Sequence, residues 1–237
     1  MLNWLLSPIN ADAPHLVEFA VAWHGRFMVL AWGILSPMAV FFARYFKVMP
    51  GQDWPRELDN QTWWRAHWMG QMLVLGLSVT ALVLVLPVQF RDASLHGILG
   101  CGVLAGLTVQ VLLGLFRGSK GGPTEPAKDG SLNGDHYDMT RRRRVFEAVH
   151  KSVGYGVLVL AAVTIIYGLL HANAPNWMWV VLVLWWVTLG ALVVMMERRG
   201  MAVTSYHAIW GDDPAHPGNA QPTAVPNKDH LDHLHPH

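Results

Sequence analysis

Apolar residues in this chain come in five long runs, at 16–46, 63–88, 94–116, 146–171 and 176–196, separated by polar stretches. A hydrocarbon core of ~30 Å takes about 20 helical residues at ~1.5 Å each, so every run is long enough to cross a bilayer. Breakers mark the gaps. Pro50, Gly51 and Pro55 interrupt the first polar loop, 47–61. A short turn at 89–93 joins the second and third runs, and Asn173-Ala174-Pro175-Asn176 joins the fourth and fifth. The stretch 117–144 is long, rich in Gly, Asp and Lys, and ends in Arg141-Arg142-Arg143-Arg144; polar loops of that length are uncommon and often functional. Residues 1–14, with Trp4, Leu5, Leu6 and Pro8, are expected to form an interfacial segment without a secretory signal, since no basic region or cleavage site precedes the first run. Residues 197–237 are polar and Pro-containing and are expected to form a disordered tail. The pattern predicts an all-α membrane protein of five transmembrane helices. Four spans make a core over 15–171, and a fifth helix flanks it over 172–196.

Composition sharpens this. The chain is 52% hydrophobic and 14% charged, against about 25% charged in a soluble domain. A net charge of +1 gives no reason to expect nucleic acid. The one cysteine, Cys101, excludes an internal disulfide or CxxC site and fits a small packing residue. Of the 17 Lys and Arg, Arg26 lies inside a span and Arg91 in the 89–93 turn; the rest fall in the two long loops, the tail or the helix ends beside them. The positive-inside bias therefore predicts a cytoplasmic C-terminus and an outer N-terminus. Trp63, Trp64, Trp68, Trp177 and Trp179 fall at span ends, as aromatic belts do. Trp185 and Trp186 lie deeper, where packing accounts for them.

The candidate chemistry is carried by His24, His67, His96 and His150, each near the N-terminal end of a span. An ionisable group inside a membrane costs free energy and usually has a function. Because consecutive spans alternate in direction, His24 and His96 begin spans at the outer face, and His67 and His150 at the inner face. Two same-face pairs on alternate helices of a four-helix core are what two bis-histidine haems require. Two histidines per iron leave no open position, so such a haem passes electrons. One turn along each helix stand Gly70, Gly100 and Gly154. A missing side chain there admits a flat macrocycle, or equally a close helix neighbour, as Gly102 and Gly106 suggest. Arg26 outside, and Arg65 and Lys151 inside, are candidates for haem propionates, with lipid headgroups the alternative. The Arg141–Arg144 run is expected to be a topogenic and lipid anchor. His15, His136, His171, His207 and His216 are expected to be solvated, and the histidines of the 230–237 tail suit either a divalent metal or simple disorder.

These residues resemble the cytochrome b561 family. The likeness covers about 23–170: His24-Gly25, the placements of His67 and His150, and Ser94-Leu95-His96, with Gly97 and Ile98 where the family's motif continues Ser-Trp. The stretch from Ala39 to Lys47 is similar to the family's cytoplasmic segment, with Arg44 and Lys47 on its two arginines. The resemblance implies two haem b groups, on His24 with His96 and on His67 with His150. It implies Arg44 and Lys47 as contacts for a cytoplasmic donor such as ascorbate; snorkelling anchors are the other reading of both. It also implies a transmembrane oxidoreductase passing electrons to an outer acceptor. The best-known eukaryotic members have six spans, so five here point to a stand-alone type in a bacterial inner membrane, with a quinol or other small reductant as donor. A membrane subunit serving a separate redox protein would share the chemistry. A histidine-lined proton or metal transporter is the reading from a different class. The fifth span carries no ligand and is free for a homodimer interface.

Overall fold

The computed structural model describes residues 2–89, 94–122 and 125–219. Residues 90–93 of the second turn, with Arg91, and the tail histidines His230, His233, His235 and His237 lie outside the described residues. Among the described residues, five helices are long and apolar enough to span a bilayer: Phe19–Tyr45, Thr62–Leu86, Leu95–Leu115, Arg141–His171 and Asn176–Arg198. A short helix α1 (Leu2–Leu6) precedes them. The first span is α2 (Phe19–Met28), a π-helical segment (Val29–Leu35) and α3 (Ser36–Tyr45); α4 (Thr62–Gln89), α5 (Leu95–Leu115), α6 (Arg141–His171) and α7 (Asn176–Arg198) follow, and α8 (Ser205–Trp210) closes the order. Apolar side chains such as Leu73, Val83, Leu112, Val159 and Val187 stand exposed along these helices. So much apolar surface is stable against lipid rather than water. The chain is an integral membrane protein with an all-helical fold.

Pro37 explains the π segment. It has no N–H to offer the carbonyl four residues back, that of Gly33. The helix widens there, and the Ser36 N–H bonds instead to Ala31 O. The released Gly33 carbonyl accepts from Trp185 Nε1 on α7 at 2.8 Å. Trp185 is therefore a hydrogen-bonding clamp as well as a packing residue.

Contacts divide the chain into two compact units. The first comprises Met1–Ala39, Trp68–Gln110 and Val153–Ala191. Its core is made of small and β-branched residues, among them Ala31, Val74, Ala81, Val103 and Ala161, all buried. Helices that pack in lipid gain from such residues because backbones can approach closely. An added methyl on Gly106 would overlap Val157, and one on Gly102 would meet Leu160 at 3.1 Å. The packing reading of those two glycines holds. Trp32 Nε1 donates to the fully buried Ser78 Oγ at 3.0 Å. At the unit's polar end, Asn173 Nδ2 donates to Ala13 O at 2.8 Å, and Asn176 Nδ2 to Trp4 O at 2.9 Å, tying the 1–14 segment to the turn before α7.

The second unit comprises Val40–His67, Val111–Ser152 and Leu192–His237. Here the expectation of a featureless tail does not describe residues 205–210. They form α8, started by Thr204 Oγ1 accepting the His207 N–H and ended at Gly211 with φ 84°. Tyr206, Ile209 and Trp210 are buried with Met139. Three apolar positions at i, i+3 and i+4 make one helix face, and that face needed a partner. The partner is the 117–144 stretch and the first loop. Trp54 Nε1 donates to His207 O at 3.1 Å, the Asp59 N–H to Ala208 O at 3.0 Å, and Lys47 Nζ to Val203 O at 2.9 Å. Lys120 pairs with Asp59, and with Glu125 at 3.1 Å. Among the four arginines the sequence expectation fails at Arg143 alone, since Arg141, Arg142 and Arg144 are exposed. All four form the first turn of α6, and Arg143 is buried rather than lying in headgroups.

Candidate haem-binding histidine pairs

In the first unit, α2 carries His24 and α5 carries His96, and their imidazole centres lie 6.1 Å apart with the rings at 83°. Each ring is fixed through its inner nitrogen. His24 Nδ1 is 3.0 Å from Ala81 O on α4, and His96 Nδ1 is 3.0 Å from Thr164 O on α6. With Nδ1–H donating to a carbonyl, Nε2 keeps its lone pair for a metal. In the second unit, His67 on α4 and His150 on α6 have ring centres 6.2 Å apart at 79°. Phe146 stacks on His150 at 5.2 Å and 22°.

These spacings suit a shared iron. Two imidazoles on opposite sides of one metal would each need a bond of about 2.0 Å plus roughly 1.1 Å from nitrogen to ring centre, so ring centres about 6.2 Å apart would leave room for it. Among the described residues no group of three or more His, Cys, Asp or Glu converges as a metal cage. Two-histidine pairs fit a group that supplies its remaining equatorial ligands itself, as a porphyrin does.

The other predicted residues fall differently. An added methyl on Gly70 would meet Ala39 Cβ at 2.9 Å, so Gly70 serves helix packing. Gly100 faces open space, and Gly154 would meet only Gln110 at 3.6 Å. Arg26 is exposed and lies over the Trp23 ring at 5.0 Å; Arg65 is exposed. Lys151 pairs with Glu147 at 3.1 Å. Arg44 pairs with Glu197 at 2.6 Å, and Tyr45 Oη donates to the same carboxylate at 2.7 Å. Lys47, turned onto Val203 O, is pushed down to about 8, by burial first and then by the Lys151 cation.

Three features escaped the sequence reading. Gly168 gives His96 its seat: an added methyl there would meet His96 Cε1 at 2.9 Å and Nδ1 at 3.2 Å. Thr164 and Gly168, one turn apart on α6, are a small-xxx-small pair that could have been noticed. His216 is not simply solvated, since it stacks on Trp210 at 5.0 Å and 16°. His136 is buried, with Nε2 3.8 Å from Glu147 Oε1 and its ring 6.2 Å from Tyr206. Burial, reinforced by the Arg143 cation, pushes His136 down to about 3. A depressed histidine favours the fold while neutral. The unfolded chain takes up a proton near the ordinary value of 6.5, which the fold resists down to about 3. We expect stability in detergent to fall between those limits as pH drops, and His136→Gln to flatten the fall. Equal pH slopes for the thermal midpoints of both proteins would contradict this.

Residues 23–120 match the family described as eukaryotic cytochrome b561. That stretch contains His24, His67 and His96, while His150 follows it. Ferric-chelate reductase 1 of Mus musculus is 29% identical over 154 residues, 62% of this chain and 22% of that protein. The human ferric-chelate reductase 1 is 28% identical over 69% of this chain and 24% of its own length. An Arabidopsis thaliana protein described as containing cytochrome b561, DM13 and DOMON domains is 27% identical over 73% of this chain and 17% of its own length. The chain thus spans about a fifth of the length of these relatives. No solved structure matches it. Through residues 23–120, the chain is similar to the cytochrome b561 family.

Proposed function

We propose that the protein carries electrons across the membrane on two haem b groups, one held by His24 and His96, the other by His67 and His150. The donor is a small cytoplasmic-side reductant, ascorbate- or quinol-like, and the acceptor lies on the outer side. The observation that carries this reading is the repeated geometry: two pairs of imidazoles, 6.1 and 6.2 Å apart, each on two different helices. When bound, a bis-histidine haem supplies reversible one-electron chemistry without an open coordination site. The protein's own part is orientation. Ala81 O and Thr164 O hold the first pair in one tautomer. The ferric-chelate reductases among the relatives favour a metal-ion acceptor outside. The positive-inside distribution favours an outer N-terminus and a cytoplasmic C-terminus, and a homodimer through the fifth span is compatible with both.

The test is a redox titration of the purified protein with His24→Ala and His67→Ala. The wild type is expected to be red with two haems, and each variant to lose a different one. A colourless wild type, or variants that both retain two haems, would reject the reading.

A further inference from the structure

The cluster around Glu147 in the second unit is more than an ion pair. Arg143 donates to Glu147 Oε1 through Nε at 3.2 Å and Nη2 at 2.8 Å, and Lys151 takes Oε2 at 3.1 Å. Two cations share one carboxylate, and His136, the remaining titratable ring at that carboxylate, is neutral. Tyr206 bonds to Glu147 and Arg143 and brings no charge. Lys151 is 60% exposed, so its charge meets solvent, while Arg143 and Glu147 form the buried pair. Arg143 is 6% exposed and His136 5%. Among the described residues, Arg143 Nη1 and both ring nitrogens of His136 have no hydrogen-bond partner. Buried donors without partners are costly.

The position says what would answer them. Arg143, Glu147 and His150 share one face of α6, with Arg143 two turns, roughly 10 Å, from the histidine. Arg143 lies over Phe146 at 4.7 Å, and Phe146 stacks on His150. We propose that Arg143 Nη1 and a ring N–H of His136 receive a propionate carboxylate of the group held by His67 and His150. This rests on the haem reading of that pair. It replaces Arg65 and Lys151, both exposed, with a desolvated arginine whose charge-assisted bonds are stronger. A freely exchanging anionic reductant fits less well, because α8 and residues 136–139 cover the place.

The experiment is a redox titration of the haem-loaded full chain as wild type, Arg143→Gln, Arg143→Lys and His136→Gln, with His67→Ala identifying the inner haem. Removing a cation beside a haem stabilises its more positive, oxidised state. Arg143→Gln should therefore lower the midpoint potential of the haem that His67→Ala removes and leave the other unchanged. Arg143→Lys should restore part of the shift, and His136→Gln should make that same haem dissociate faster. Unchanged midpoints with a raised half-saturating ascorbate concentration would overturn the proposal in favour of a soluble anion. Equal shifts of both haems, or no rescue by lysine, would overturn it in favour of a packing role. Should Arg143→Gln fail to fold, the lysine and His136→Gln variants decide: a wild-type midpoint and wild-type retention in them would sink it. A His67→Ala protein that still holds both haems would instead undermine the reading of the pair itself.

Discussion

On the proposed two-haem reading, Gly168→Ala is expected to yield a folded, membrane-inserted protein that has lost most of the haem at His24 and His96 while keeping the one at His67 and His150. The methyl would come within 2.9 Å of His96 Cε1. An unligated imidazole could swing aside at little cost. A ligated one cannot, because Thr164 O holds its Nδ1 and His24 stands opposite at 6.1 Å. Overpacking against a fixed group costs about 1–3 kcal/mol. That corresponds to roughly five- to a hundredfold weaker retention of one haem. The measurement is the haem-to-protein ratio after detergent washing, beside a helix-content spectrum. Retention of both haems at the wild-type ratio would show that α6 does not position His96.

Trp210→Ala should have the largest effect on stability, confined to the second unit. Trp210 is 6% exposed, packs on Tyr137 at 5.3 Å and on His216, and an added methyl on Gly122 would strike its ring. Removing a buried tryptophan costs about 3–5 kcal/mol. Short α8 depends on this face and on the bonds from Trp54 and Asp59, since a six-residue helix has no stability of its own. Hydrogen exchange should show residues 203–211 losing protection, with the spanning helices unaffected. Wild-type protection of α8 in the variant would mean that the hydrogen bonds from Trp54 Nε1 and the Asp59 N–H suffice without the Trp210 indole.

The five spans were legible because lipid imposes a simple rule on a sequence: about 20 apolar residues, with every backbone group bonded inside the helix. The helix ends match the runs of hydrophobicity closely, except at α6. There Arg141–Arg144 read as loop because four charges in a row look solvated. Arg143 reverses that only because Glu147, one turn later, neutralises it. His24, His67, His96 and His150 could be paired from the alternation of direction alone, and the family resemblance rests on them together with Ser94-Leu95 and the stretch from Ala39 to Lys47.

What the sequence determined, then, was local or periodic: the spans, the expected sidedness, and which histidines fall at the same level. Only the tertiary structure decided what holds those histidines and what covers them. Ala81 and Thr164 act through carbonyls, which no side-chain pattern reports. Gly168 acts by lacking a methyl where another helix's imidazole arrives. His136 looks like any loop histidine until α8, some 70 residues later, buries it beside Arg143 and Glu147. Each is a contact between residues far apart in the chain, and the energy of such a contact depends on distance and burial, which exist only once the chain has folded.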